Sequence, residues 1–462
     1  MKKHLSLLAL IGALPNLACA NTAPTPQAVQ PTQTKSTQID YVEFSFTDLL
    51  GNSKSILKPL HSFEKDMQNG IAIDGSSIFG CSPISESDML LKPDLEAVTQ
   101  LPWTNSPART ARVTCDIYKD ERTPHAGDPR YILKQTLDEA AALGYDFLVG
   151  PELEFFIFKE ENGKRVPYDS NNYCASSNTI TDDSMRAMLL TVLQAVGIPV
   201  EKLHHEVAPG QYEVSIAYNN ALKMADFVVM AKHTLKALLA SEKLEATFMP
   251  KPLGDKNGSG MHIHFSLWDK ETAQNLFYNP QDQYRLSSLA KSFIAGVLYH
   301  APALTLIFNP TVNSYKRLVP GFEAPIYICC GQKNRSALIR LPETGDHASA
   351  IRAEIRSPDG HTNPYLAFAG ILKAGLDGIA NNRTLPEIFN TNLYRISAQA
   401  LEEKGISTLP HSFETAINVF ASSELMQDLL GATAHAQYVQ AKRKELHDFN
   451  ATITDWEYQK YC

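Results

Sequence analysis

The feature that most constrains this chain is a set of short segments in which ionisable and apolar residues alternate. In Met261-His-Ile-His-Phe-Ser-Leu267, an extended backbone puts His262, His264 and Ser266 on one face and Met261, Ile263, Phe265 and Leu267 on the other. Glu152-Leu-Glu154-Phe-Phe-Ile-Phe158 sets Glu152 and Glu154 side by side, with Leu153, Phe155 and Ile157 behind them. Arg352-Ala-Glu354-Ile-Arg356 repeats the arrangement, and Gln211-Tyr-Glu213 follows closely on His204-His-Glu206. Such a chain has to build a sheet with one apolar face and one face carrying carboxylates, imidazoles and guanidinium groups.

For one strand alone, an ordinary sheet with a solvated face explains the pattern. A solvated face, however, normally carries Lys, Thr, Ser and Gln, whereas these strands offer Glu, His and Arg almost exclusively, flanked by aromatic residues. Turned inward, each unpaired charge would cost on the order of several kcal/mol, so the face calls for divalent cations and phosphate as partners. Glutamates with one or two histidines suit Mg²⁺ or Mn²⁺, and the absence of cysteine ligands argues against zinc or iron–sulfur. A basic set lies nearby in sequence: Arg317 in Asn313-Ser-Tyr-Lys-Arg-Leu-Val-Pro-Gly321, then Arg335 and Arg340 in Asn334-Arg-Ser-Ala-Leu-Ile-Arg340. Guanidinium groups match carboxylate and phosphoryl oxygens, although single arginines on a surface loop look the same. With the glycine-bearing loop Asn257-Gly-Ser-Gly260, these residues point to ATP-driven activation of a carboxylate. From the residues alone, an ATP-dependent ligase and a kinase both stay open.

The 462 residues, 44% of them hydrophobic, suffice for a large core and two domains with an N-terminal extension. A net charge of −8 without clustered Lys and Arg argues against a nucleic-acid surface. The seven cysteines are scattered with no CxxC pair and read as mostly free thiols, although those left after loss of Cys19 are compatible with disulfides in an oxidising compartment. Lys2 and Lys3, the apolar run Leu5 to Leu14 and Ala18-Cys19-Ala20 predict an export signal over residues 1–20, too short for a stable membrane span. Residues 21–38, rich in Pro, Thr and Gln and without aromatics, predict a disordered linker. Strand-like segments from Ile39 to about Tyr118 predict a small, mainly β, N-terminal domain over 39–122. A helix capped by Asp128, with Pro129 in its first turn, Ile132, Leu133, Leu137 and Ala140 on one face and Gly144 at its end, opens a second, α plus β, domain over 123–462. Asn363-Pro364 begins another helix, over Tyr365 to Ala374.

From about Tyr41 to the C-terminus the sequence resembles glutamine synthetases. The resemblance is carried by Phe46-Thr-Asp48-Leu-Leu-Gly51, Asp74-Gly-Ser-Ser77, Gly150-Pro-Glu-Leu-Glu154, His204-His-Glu-Val-Ala-Pro-Gly-Gln211, Lys251-Pro252, Asn257-Gly-Ser-Gly-Met-His262, Asn313-Ser-Tyr-Lys-Arg317, Asn334-Arg-Ser-Ala337 and Asn363-Pro-Tyr-Leu366. The short Ala208-Pro-Gly210 form is similar to the compact bacterial type I members. The resemblance implies an α+β fold: a β-grasp-like N-terminal domain, and a large catalytic domain whose antiparallel sheet, a split barrel, lines a two-metal site. It implies Glu152, His262 and Glu354 around the metal nearest the ATP phosphates, and Glu154, Glu206 and Glu213 around the metal facing glutamate. His264, Ser266, Arg340 and Arg352 would contact ATP, with Tyr218 against the base, while Asn257, Gly258, Arg317, Arg335 and Arg356 would hold glutamate. Arg335 would also stabilise the phosphoryl group in transfer. Asp48 and Glu323, the latter on the flap Pro320-Gly-Phe-Glu-Ala-Pro325, would deprotonate ammonium, and the flap would exclude water.

The implied substrates are glutamate, ammonium and ATP, with two divalent cations per site, Mg²⁺ or Mn²⁺, and the implied reaction passes through γ-glutamyl phosphate. The implied assembly is a homododecamer of two stacked rings, each site lying between neighbours, Asp48 from one and the metal ligands from the next. Several residues depart from the family pattern. Lys333 and Ser357 replace commoner residues beside the phosphate-binding arginines, Glu343 to Ala350 lacks the usual basic loop, and Pro83 stands where feedback-regulated short forms carry an arginine. Tyr394 resembles the adenylylated tyrosine of longer forms, but Arg395 replaces its acidic neighbour. The leader suggests the periplasm or secretion, whereas the ATP requirement suggests the cytoplasm. Alternative readings are a γ-glutamyl ligase for another amine, and an exported non-catalytic relative that keeps the scaffold.

Overall fold

The computed structural model describes residues 39–102, 109–176, 179–319, 324–345 and 347–462. The expected leader, the linker and Glu323 lie outside the described residues.

The N-terminal sheet has five strands, β1 (Tyr41–Thr47), β2 (Ser53–Pro59), β3 (Ile71–Asp74), β4 (Asp88–Gln100) and β5 (Thr110–Tyr118), in the order β2-β1-β5-β4-β3. The central pair β1/β5 is parallel and the others are antiparallel. Alternation in β1 sends Val42, Phe44 and Phe46 into a core with Leu91, Val113 and Ile117. Helix α1 (Phe63–Asn69) lies over that core, its Phe63 ring stacked 6.2 Å from Phe44. This is a β-grasp domain.

The larger sheet has ten strands. They are β6 (Tyr145–Glu161), β7 (Lys164–Pro167), β8 (Val200–His205), β9 (Gln211–Ile216), β10 (Asn219–Asn220), β11 (Glu245–Thr247), β12 (Met261–Asp269), β13 (Tyr327–Gln332), β14 (Ala337–Leu341) and β15 (Ala353–Ile355). The main path runs β13-β14-β15-β12-β6-β9-β8, and β7, β10 and β11 pair with the long β6. It is antiparallel except at β13/β14 and curls into a half-barrel. Its register decides the site. His262 lies opposite Glu152, Glu154 opposite Glu213, Glu213 opposite His204, and both His264 and Arg340 opposite Glu354. Because side chains alternate with a period of two, these pairs share one face, and Leu153, Phe155, Ile263 and Phe265 pack on the other.

The helices are α2 (Pro129–Ala142), α3 (Ile180–Ala195), α4 (Ala221–Ser241), α5 (Ser288–Phe308), the short α6 (Ser314–Arg317), α7 (Pro364–Ala380), α8 (Ala398–Glu403), α9 (Phe413–Ala421), α10 (Glu424–Ala451) and α11 (Asp455–Tyr461), and α2 to α5, α7, α9 and α10 contribute to the core on that apolar face. α5 and α7 cross where a Cβ on Gly296 would lie 2.2 Å from the Ala374 carbonyl oxygen and 2.6 Å from Gly378, so their backbones approach as only glycines permit. Among the described residues α5 alone is long and apolar enough to cross a bilayer, and 72% of its most apolar stretch is enclosed by the protein. Asp128 caps α2, accepting from Arg130 N at 3.0 Å, and its other oxygen takes Ile117 N at 2.9 Å, which ties the helix start to β5. Arg130 joins the two halves of the chain, donating to Asp94 on β4 (2.7 Å), Asp116 on β5 (2.6 Å) and Asp226 on α4 (2.9 Å).

Candidate active site

Three groups of side chains have ligand atoms that all lie within 4.8 Å of one another: Glu152, His262 and Glu354; Glu154, Glu213 and His262; and His204, Glu206 and Glu213. All but Glu206, which lies in the turn between β8 and β9, are placed by strand register, because β6, β12, β15, β9 and β8 contribute adjacent ionisable positions. The charges are partly compensated from within. Glu354, fully enclosed, accepts from Arg356 Nη1 at 2.5 Å and from Arg340 Nε. Burial works against its ionisation, but Arg356, His264, His262 and Arg340 outweigh it and bring the carboxyl down to about 2. Glu213 Oε1 faces His204 Nε2 at 3.1 Å, Lys202 Nζ at 3.2 Å and Ser215 Oγ at 3.0 Å. Glu154 is compensated less: burial, with Glu206 and Glu213 close by, outweighs Arg317 and the Gly260 N–H and pushes its carboxyl up to about 8, with His262 Nε2 3.8 Å from its Oε1. Its Oε2 accepts from Gly260 N (2.8 Å) and Gln211 Nε2 (3.1 Å). Clustered carboxylates mixed with imidazoles and no thiolates fit hard divalent cations such as Mg²⁺ or Mn²⁺.

Two cavities meet at this face. The larger, of about 770 Å³, is lined by Gly150, Tyr218, His264, Ser266, Trp268 and Arg352, among others. Tyr218 and Trp268 stack with ring centroids 6.3 Å apart, and Trp268 Nε1 donates to Ser266 Oγ at 2.9 Å. Arg352 Nε donates to His264 Nδ1 at 3.1 Å, and His264 Nε2 faces Glu152 Oε1 at 3.2 Å. The smaller cavity, of about 90 Å³, contains Glu154, Glu206, Glu213, Asn257, Arg317 and Arg335 in its wall. Glu152, Lys202 and Arg340 line both. A strongly basic and acidic pocket thus opens directly onto an aromatic one.

A family model described as the glutamine synthetase β-grasp domain matches residues 38–120, and one described as the glutamine synthetase catalytic domain matches residues 126–461. The chain belongs to the glutamine synthetase family. Among similar proteins, the glutamine synthetase of Methanocaldococcus jannaschii is 44% identical over 92% of this chain and 96% of that protein. The Thermotoga maritima glutamine synthetase is 42% identical over the same shares, and that of Halobacterium salinarum is 42% identical over 92% and 93%. Similar solved structures include "GmaS/ADP complex-Conformation 1", with a TM-score of 0.83 at 32% identity, covering 92% of this chain and 96% of that one. "Apo GmaS without ligand" follows with a TM-score of 0.81 at 31% identity and the same coverage. The glutamine synthetase resemblance read from the sequence, and the fold class it implied, are borne out.

Within this glutamine synthetase fold, the structure gathers most of the residues singled out from sequence, and separates a few. Asn257, Gly258, Arg317, Arg335 and Arg356 line the small cavity. Arg317, almost fully buried, donates to the carbonyls of Ser357 (2.7 Å) and Arg356 (3.3 Å). A Cβ on Gly258 would lie 2.1 Å from the Pro250 carbonyl oxygen, so the loop between Pro250 and β12 requires glycine there. Asp48 is not in the wall of either cavity. It sits in the turn after β1, buried, accepting from Leu50 N (3.0 Å), Asn52 N (2.8 Å) and Asn52 Nδ2 (3.0 Å). Glu323 is outside the described residues.

Sequence reasoning did not single out Lys202, Tyr173 or Trp268, all of which line the cavities. Lys202 shares the alternation of β8 with His204, a signal that was present but masked by the doubled histidines. It also missed Asp169, which accepts from His205 Nε2 (2.8 Å), Tyr212 Oη (2.8 Å) and Gly210 N (3.0 Å). That carboxylate pins the hairpin between β8 and β9, and with it Glu206 and Gln211. Of the departures from the family pattern, Lys333 pairs with Glu343 at 2.5 Å, both on the surface near the larger cavity.

Proposed function

We propose that the protein ligates ammonia to the γ-carboxylate of L-glutamate at the expense of ATP, giving L-glutamine, ADP and phosphate, and so serves glutamine biosynthesis and nitrogen assimilation. The observation that carries this reading is the wall shared by the two cavities, formed by Glu152, Lys202 and Arg340. A nucleotide with its base toward Tyr218 and Trp268 would direct its phosphates to that wall, past His264, Ser266 and Arg352. Glutamate would lie beyond it, its carboxylates met by Arg317, Arg335 and Arg356 and its amino group near Asn257 and Gly258. Glu152, His262 and Glu354 would hold one divalent cation and Glu154, Glu206 and Glu213 a second. Bound there, Mg²⁺ or Mn²⁺ would neutralise phosphate oxygens and polarise the transferring phosphoryl group.

Arg335 and Arg340 face the position of transfer and would stabilise charge that develops there. Phosphorylation of the γ-carboxylate replaces a poor leaving group by phosphate, and ammonia then attacks the γ-carbonyl. Ammonium must first lose a proton, the role assigned to Asp48 and Glu323. That Asp48 stands apart from both cavities of its own chain supports a site completed by a neighbouring copy, in a homododecamer. The test is direct: purified protein given glutamate, ammonium, ATP and Mg²⁺ should release glutamine and ADP in equal amounts. Turnover with putrescine but not with ammonium would replace this reading by a ligase for another amine, and no turnover with either would replace it by a non-catalytic relative.

A further inference from the structure

Lys202 stands on β8 one alternation before His204, and the proposed chemistry gives it no part. Its Nζ lies 3.2 Å from Glu213 Oε1 and 3.7 Å from Glu152 Oε1. Glu152 belongs to one of the three candidate ligand groups and Glu213 to the other two, so a single ammonium reaches all three. The Lys202 side chain is half exposed, at 50%, whereas the two carboxylates stand on the paired strands β6 and β9. The other donors to these carboxylates are His204, His262, His264 and Ser215. An ammonium at this spacing relieves the repulsion between the two glutamates. A divalent cation that takes either oxygen meets the same positive charge within a few ångströms, only partly screened because the two carboxylates are largely buried.

We infer that Lys202 is an internal counter-cation of the acidic cavity, which holds Glu152 and Glu213 together in the metal-free protein and competes with divalent cations for them. Lys202 thereby sets the cation concentration at which the site fills. The inference rests on the proposed reading that these trios bind divalent cations, and the test separates the two. Mn²⁺ is titrated into the metal-free full-length protein without nucleotide, with the free ion counted by electron paramagnetic resonance, for wild type, Lys202→Met and Lys202→Arg. Lys202→Met should bind Mn²⁺ at one or more sites about tenfold more tightly, and Lys202→Arg should stay near wild type. Metal-free Lys202→Met should also melt below wild type, with saturating Mn²⁺ closing the gap. Unchanged or weaker Mn²⁺ binding by Lys202→Met, against a wild type that binds normally, overturns the role of Lys202. Failure of the wild type itself to bind Mn²⁺ overturns the cation sites, and the counter-cation with them.

Discussion

Glu354 has no solvent exposure, and its two oxygens are taken by Arg356 and Arg340. Removing the carboxylate therefore does two things at once: it deletes a candidate cation ligand and leaves the nearly buried Arg356 guanidinium without its anion. Glu354→Ala should cost roughly 3–5 kcal/mol in urea unfolding of the metal-free protein. Glu354→Gln, which keeps the volume and one acceptor, should cost less while losing glutamine formation just as completely. Equal stability of Glu354→Ala and wild type would show that the pair is not enclosed as described. Asp169 makes a pH-dependent contribution. Burial opposes its ionisation, but hydrogen bonds from His205, Gly210 and Tyr212 prevail and bring its pKa from 3.8 to about 2. Because the folded value lies below the unfolded one, the stabilisation is fully present above about pH 4 and is lost as pH falls through 2; it amounts to ~2 kcal/mol. Asp169→Asn should lower stability by about that much at pH 7 and flatten acid unfolding between pH 4 and 2. The strand-borne glutamates and histidines of the candidate ligand groups were legible as a cluster because a strand's period of two displays them. Asp169 was not, since it lies in an irregular stretch after β7 and meets His205 only through the fold.

Elements with a strong local code were read close to their limits. Asp128 and Pro129 start α2, and Asn363 and Pro364 start α7. The second of these helices runs on to Ala380, beyond the Ala374 expected, because α7 is apolar on nearly every side and shows no amphipathic stripe whose end could be seen. α5 left no comparable signal for the same reason. The loop before β12 carries a code of another kind, since its glycines are required by close approach. A side chain at position 258 would run into the Pro250 carbonyl, which itself accepts from Ser259 N at 2.9 Å, and Gln211 Nε2 holds the Gly258 carbonyl at 2.9 Å. Gly258→Ala should therefore displace the loop rather than unfold the domain. A shift of this size near reacting groups can lower kcat/KM for glutamate by ~100-fold. The melting temperature should move by only a few degrees, about what 1 kcal/mol produces in a protein of this size or smaller. Collapse of stability with kcat/KM unchanged would place the loop outside the substrate site.

At the scale of the whole molecule, the largest feature a single chain leaves unexplained is its C-terminal end. Ile453, Trp456, Tyr458 and Tyr461 are 64%, 61%, 61% and 74% exposed, and α11 contributes no residue to the buried core. The helix is capped at Thr454 by a reciprocal bond with Glu457, and aromatic side chains gathered on it have the composition of an interaction surface, which the proposed assembly would cover. Asp48 makes the complementary point: it belongs to the motifs of the proposed chemistry, yet it lies outside both cavities of its own chain. The proposed assembly would account for both, a neighbouring copy covering the tail and receiving Asp48 at its cavity. Removing residues 453–462 should then lower the assembly from the proposed dodecamer to smaller species in sedimentation velocity. Because each site would be shared, activity per chain should fall on dilution where the full-length protein holds it constant. A truncated protein of unchanged mass and undiminished activity would mean that the aromatic tail serves a different partner, and that Asp48 reaches the chemistry by some other contact.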